Sequence, residues 1–463
     1  MEIIPDINYE KLLRASLANG GDFSEIYVER ITGTSIISEA KRIEKYLAIE
    51  EFGVGIRVVI DDMAAYAYTN DLTCLDELAS SVAAAMKTRA FSNSICLEKN
   101  PLISSAVLKR EPDKVNSSDK IEFIQRAQKA AWDLDRSVVQ VKIHYTDSKK
   151  TILIANSNGY ISQDNRSSII FAVQGVVSQN SLMETGYEQI GGARGFEILE
   201  ENPPEEIALK ALKRALLTLH ADKARGGQMP VVLSSQAGGT MVHEAIGHGL
   251  EADLAGEGLS VYSGRIGEQV ASKAITVIDD GTLKGLRGSA GYDDEGIRSS
   301  HTILVENGIL KTYLTDLITS KKYDLPLTGN GRRESYRHKP IPRMTNTLIR
   351  PGNLNPDDIL SKVDSGIFVK KMGGGQVNPA NGDFVFEVSE GYSISKGQIA
   401  EPIRGATLIG NGPQILLSIE DVGSDLGFGI GTCGKDGQGV PVADAQPTLL
   451  IPLITIGGAV HEK

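Results

Sequence analysis

The chain has little cysteine, little aromatic residue and no long uninterrupted apolar run. Its three cysteines in 463 residues, Cys74, Cys96 and Cys433, form no C-x-x-C pair. So sparse and odd a count excludes a disulfide framework and suits a reducing compartment. Cys74 and Cys96 read as small core residues. Charge or glycine interrupts every apolar stretch well short of the roughly 18 residues that a membrane-spanning helix needs. The segment Met1-Glu2-Ile3-Ile4-Pro5-Asp6 lacks the basic and apolar regions of a signal peptide. Positive charge is also in deficit: 48 Lys and Arg face 59 Asp and Glu, for a net charge of −11. Such a field does not attract nucleic acid. The expectation is a cytoplasmic protein with neither a membrane nor a nucleic-acid partner.

Glycine is plentiful, at 49 residues, and implies many tight turns and a strand-rich fold. The length allows two or three domains, each with its own core. Periodicity predicts helices over residues 8–20 and 73–90, with alternating strands from Phe23 to Tyr68 between them. Residues 91–117, with Asn100-Pro101 and Glu111-Pro112, read as a linker. A helix over 119–136, N-capped by Ser118, a strand meander over 138–192 and a helix over 205–223 follow. Beyond Gly227 come many short strands separated by Asp280-Gly281, Asn307-Gly308, Asn381-Gly382 and Lys396-Gly397, with one further helix near 355–363. The reading is α+β: two N-terminal helix–strand meander–helix units, 1–110 and 111–226, and a C-terminal, mainly antiparallel β domain, 227–463, carrying one motif helix.

That helix holds His243-Glu244-Ala245-Ile246-Gly247-His248, with two of only seven histidines. Imidazoles are good zinc ligands, and a neighbouring carboxylate can take a proton from activated water. The spacing differs from H-E-x-x-H. Residues four apart on an α-helix are rotated by about 40° and face one way; residues five apart are rotated by about 140°. A regular helix would therefore point His243 and His248 apart. The spacing predicts a π-turn or helix break over 244–248, with Gly247 as the residue that permits it.

A catalytic zinc usually has three protein ligands. Glu251, Asp253, His301, His338 and Cys433 are candidates for the third. Cys433, a soft donor in the open loop Gly429-Ile430-Gly431-Thr432-Cys433-Gly434, has the best case, and Glu251 is next. The basic run Gly331–Lys339 reads either as a solvated loop or as a site for a carboxylate or oxyanion. Gly373-Gly374-Gly375 and Lys435-Asp436-Gly437-Gln438-Gly439 lack the spacing of a phosphate loop. Asp293-Asp294-Glu295 reads as surface.

Four stretches together resemble the TldD/PmbA family, the so-called modulators of DNA gyrase. They are Met241–Gly249, Arg343-Met344-Thr345-Asn346, Gly373–Val377 and Gly431–Gln438. Because His243, Glu244, His248 and Cys433 are all present, the resemblance is to the metal-binding, TldD-type branch. It implies a zinc metallopeptidase in which His243, His248 and Cys433 ligate Zn²⁺ and Glu244 is the base. It also implies cleavage of unfolded or small peptides in the cytosol, by a homodimer or a heterodimer with a metal-free PmbA-like paralogue. Extended substrate would pair with a strand edge, and Arg333, Tyr336, His338 and Arg343 are candidates to stabilise the oxyanion. The rival expectation is a non-enzymatic regulator of gyrase or of a toxin–antitoxin system, with a structural metal site.

Overall fold

A computed structural model describes residues 7–86 and 95–458; residues 1–6 and the end of the helix read over 73–90 lie outside them. The α+β reading holds. Three antiparallel strands, Phe23–Glu39, Arg42–Ile60 and Met63–Thr69, lie between helices Tyr9–Ser16 and Leu75–Ala85. Three more, Val138–Asn156, Tyr160–Gln179 and Leu182–Gly192, lie between helices Ser117–Leu134 and Pro204–His220. The first strand of each unit pairs with the other, from Glu25↔Asn156 to Glu39↔Lys142. Both units therefore share one seven-stranded sheet. Each helix pair covers its own half. Leu12, Leu13, Ala79 and Val82 pack with Ile26, Val28, Val54 and Ile56; Ile124, Ala127, Ala208 and Leu212 pack with Ile143 and Val173.

The C-terminal region holds two large sheets. In one, Ser365–Val377, Gly227–Leu233, Leu449–Gly457, Thr407–Asn411 and Asp383–Ser395 pair in that order, and the last pairs back to the first, so the ladder closes. In the other, strand Asn346–Ile349 pairs with Gln438–Gln446, whose hairpin partner Gly427–Lys435 is the edge strand. The Asn346–Ile349 pairing and the Gly227–Leu233 to Ser365–Val377 pairing are parallel; most others are antiparallel. Both sheets contribute to one core with Met241, Val242, Ile246 and Leu250 of the motif helix.

Several expectations are corrected. Helices Leu317–Tyr323 and Gly412–Ser418 were not anticipated. Each is seven residues long, too short for periodicity to show, and each depends on its cap; Asp316 and Thr319 form a capping box on the first. Asn116, not Ser118, precedes helix Ser117–Leu134. The stretch around Ser105 and Val107 is bonded on both sides, through Gly285 N to Ser105 O and Val107 N to Ala193 O. Cys96 is exposed and Cys74 half-buried, so neither is a core residue.

Asp293, Asp294, Glu295, Arg332 and Arg333 are buried, not surface. Glu295 and Arg333 dock the first unit onto the C-terminal region, and Asp294 docks the second. Glu25, fully buried, accepts from Arg57 at 2.8 Å and also from Arg333. Arg57 reaches Glu295 at 2.6 Å, and Arg166 reaches Asp294 at 2.7 Å. Tyr336 lies against Gly53, where any Cβ would approach its ring to 2.2 Å. Charged residues are normally read as surface because an unpaired charge is rarely buried; here Asp294, Glu295 and Arg333 are paired across the domain junction, and Asp293 and Arg332 are hydrogen-bonded within the C-terminal region.

Candidate metal centre

The motif helix is three short pieces: α over Thr240–Val242, π over His243–Gly247 and 3₁₀ over His248–Leu250. The His248 N–H donates to the His243 carbonyl, the i→i+5 bond of a π-turn. The distortion that the five-residue spacing predicts is therefore present. The two imidazoles meet at right angles, with ring centroids 5.0 Å apart. Gly247 acts differently from expectation. Its φ and ψ of −55° and −56° suit any residue. A Cβ there would instead lie 2.1 Å from Met344 Sδ, so the glycine is needed for close packing under the turn.

The third donor comes from the edge hairpin. Cys433 Sγ lies 3.5 Å from His248 Nε2, and the donor atoms of His243, His248 and Cys433 all lie within 4.8 Å of one another. Zinc bonds of about 2.0–2.1 Å to nitrogen and about 2.3 Å to sulfur put tetrahedral donors about 3.4–3.7 Å apart. The three side chains fit such an ion with small adjustments. The other candidates are engaged elsewhere. His301 Nδ1 pairs with Asp280 at 2.8 Å, His338 Nδ1 with Ser335 at 3.1 Å and Asp253 with Lys435 at 2.6 Å.

Glu251 faces the site from behind. It is fully buried and holds His248 Nδ1 at 3.0 Å. Asp444, on the same hairpin as Cys433, holds His243 Nδ1 at 2.8 Å. A carboxylate on Nδ1 fixes the ring and leaves Nε2 for an ion. Sequence reasoning did not assign Asp444; the only signal was one acid inside Val440-Pro441-Val442-Ala443-Asp444-Ala445. From sequence, Arg343 reads as an oxyanion candidate and Lys435 as part of a glycine-rich loop; neither reading places them beside Glu251. Lys435 pairs with Glu251 at 3.0 Å. Arg343 is fully buried, donates to the Cys433 carbonyl and lies 3.9 Å from Glu251.

These acids set the protonation of the site. Burial opposes charge on both imidazoles, but it is outweighed. Asp444 and Cys433 hold His243 well above its ordinary range, and Glu251 and Cys433 lift His248 to about 10. Burial pushes the Cys433 thiol up, yet the two imidazoles bring it down to about 6. Glu251, despite its burial, is held at about 2, first by Lys435 and then by His248. A pocket that draws protons this strongly onto its nitrogens also suits a divalent cation, which would displace them.

The centre opens onto a cavity of about 720 Å³. His243 and Glu244 line it, with Tyr187, Gly373, Phe428 and Thr432 among the walls. Glu244 is half-buried, and among the described residues its carboxylate makes no hydrogen bond or ion pair. Arg333, Tyr336, His338 and Arg343 do not line this cavity. Arg333 lies over the Tyr27 ring, 4.2 Å from its centroid, and Arg343 braces Cys433, so these oxyanion candidates are corrected to structural roles.

Asp444→Asn should weaken metal binding by about 10–100-fold, the usual cost of removing a carboxylate behind a ligating histidine. Chelator competition would measure it; unchanged affinity would show that Asp444 does not orient His243.

The fold and the site define a protein able to hold a transition metal on two imidazoles and a thiolate, with an unengaged carboxylate at the cavity edge. Comparison with known proteins gives the same class. Residues 226–458 match the PmbA/TldA metallopeptidase C-terminal domain, 110–219 the central domain and 24–88 domain 1. A metalloprotease TldD homolog from Buchnera aphidicola (Acyrthosiphon pisum) is 37% identical over 95% of this chain and 93% of its own. One from Haemophilus influenzae is 36% identical over 94% and 93%. Among solved structures, a protein described as a modulator of a DNA gyrase from Thermotoga maritima shares the fold at 23% identity, with TM-score 0.78 over 94% of this chain and 96% of that one. TldE from Thermococcus kodakarensis does so at 19% identity, with TM-score 0.74 over 97% and 99%. The chain belongs to the PmbA/TldD family and is a metallopeptidase.

Proposed function

We propose that this metallopeptidase hydrolyses unfolded or small peptides in the cytosol with Zn²⁺ held by His243, His248 and Cys433, and with Glu244 as general base. The observation that carries the reading is the convergence of those three donors beside an unengaged Glu244 at the edge of the cavity. A structural zinc is normally closed by four protein donors; the group found among the described residues has three, which disfavours the regulator with a structural ion. When bound, zinc would polarise the scissile carbonyl and acidify a water. Glu244 would accept the proton of that water at its carboxylate and pass it to the leaving amine. Asp444 and Glu251 would keep both Nδ1 atoms occupied, so that each imidazole presents Nε2.

Substrate would lie extended along the edge strand Gly427–Lys435, which carries Cys433. Main-chain pairing there gives affinity without demanding a sequence. The three working units are 1–110, 111–226 and 227–463. The partner would be a second copy or a metal-free PmbA-like paralogue; the likeness in fold to TldE supports the latter. No helix among the described residues is long and apolar enough to cross a membrane, and the net charge of −11 argues against nucleic acid.

The test is metal analysis of the purified protein, then mass-spectrometric mapping of cleavage in a peptide library with and without chelator. Chelation should stop cleavage and zinc should restore it. Cys433→Ala should carry little metal by elemental analysis; full zinc occupancy in that variant would move the third ligand elsewhere, with Glu251 next to test.

A further inference from the structure

A second cavity, of about 570 Å³, adjoins the metal cleft and shares Glu188, Lys371 and Phe428 with it. Its walls come from helix Pro204–His220, strand Ser365–Val377 and the start of edge strand Gly427–Lys435. Lys210, Lys213, Arg214, Lys370 and Lys371 line it against only two carboxylates, Glu188 and Glu390. Those two are already committed. Arg214 holds both at 2.9 Å, Lys370 holds Glu390 at 2.7 Å and Lys371 lies 3.6 Å from Glu188. Lys210 and Lys213, exposed and three apart on one helix face, have no ion pair among the described residues. Like charges so placed repel, and in a chain of net charge −11 this concentration of unbalanced cations is a local exception.

We infer that this groove binds the carboxylates of an acidic peptide segment and thereby selects substrates for the metal cleft. The inference rests on the peptidase reading above. Because the two cavities share Glu188, Lys371 and Phe428, a chain lying along Phe428 at the cleft would continue past Lys371 toward Lys213. Arg214, buried and fixed by Glu188 and Glu390, sets the floor of the groove, Lys370 is tied to Glu390 beside it, and Lys210 and Lys213 at the rim supply charges with no ion pair among the described residues. Such rim charges confer selectivity and faster encounter more than raw affinity. The carboxylates could be Asp or Glu side chains, or the substrate's own C-terminus.

The experiment uses the full-length, metal-loaded protein. Peptides of one sequence carry an Asp-Asp pair scanned along their length, with Asn-Asn controls, each with free and amidated C-termini. We expect kcat/KM to rise about tenfold for one placement of the pair and the preference to fade above about 0.5 M salt. A gain lost on amidation alone would assign the groove to the terminal carboxylate. Lys210→Glu/Lys213→Glu should invert the preference, so that a Lys-Lys peptide is cleaved faster than the Asp-Asp one. Equal kcat/KM across the wild-type set, or an acidic preference that survives the double variant, would overturn the inference. If no peptide is cleaved, the peptidase reading fails instead. The groove is then judged by fluorescence anisotropy of labelled Asp-rich and Asn-rich peptides, and equal affinities would overturn it.

Discussion

Glu244→Gln should lower kcat/KM for an unfolded peptide by about 10²–10⁴-fold, the range for loss of a positioned general base, while fold and bound metal persist. The side chain lines the cavity and makes no hydrogen bond or ion pair among the described residues, so glutamine removes a proton acceptor without breaking a structural bond. It is not one of the three convergent donors, so metal content by elemental analysis should match the wild type. The combination is diagnostic, because a structural residue would lose fold and a ligand would lose metal. Turnover within a few-fold of wild type would remove Glu244 as the base.

The second large effect lies away from the chemistry. Glu25→Gln should destabilise the protein by about 3–5 kcal/mol, as breaking one side of a buried ion pair does. Glu25 is the carboxylate between Arg57 and Arg333, all three side chains being fully buried. Without it Arg333 keeps only carbonyl acceptors, the Asp294 and His338 oxygens, among its side-chain hydrogen bonds. Several arginine nitrogens in the network already lack a partner, Arg57 Nε and Arg333 Nε among them, so little slack is available. Burial also drives the Glu295 carboxyl well up, against the pull of Arg57, which weakens it as a substitute counterion. Urea unfolding followed by circular dichroism would read the loss. Glu25→Gln with Arg333→Met should cost less than the sum of the two singles, because the second change removes the charge stranded by the first. A loss under about 1 kcal/mol for Glu25→Gln would mean that the network does not hold the domain junction.

The readings that held depend on neighbours within a few residues. Alternating strands and amphipathic helices show as periods of 2 and 3.6, which is why both N-terminal units were legible. The five-residue histidine spacing required a distorted turn by helical geometry alone. The short helices Leu317–Tyr323 and Gly412–Ser418 escaped because seven residues span under two turns and leave no period to read. The run Asp293-Asp294-Glu295 was misread as surface, and the run Gly331–Lys339 stayed open between a solvated loop and a carboxylate site, because their partners, Glu25, Arg57 and Arg166, are far away in sequence.

The sequence by itself determined the composition class, the α+β pattern, the two histidines with their glutamate and the need for a π-turn between them. Residue type and local spacing fix these. Tertiary structure decided which residues converge on the two histidines and what orients the rings. Cys433 is 185 residues from His248, and Asp444 is 201 from His243. Both arrive on one hairpin whose register, Cys433↔Val440 and Gly429↔Asp444, sets them together under the turn. A shift of that register by one residue would turn the thiol to the other face of the sheet. Register is set by packing of the whole core, so no local signal in the chain contains it.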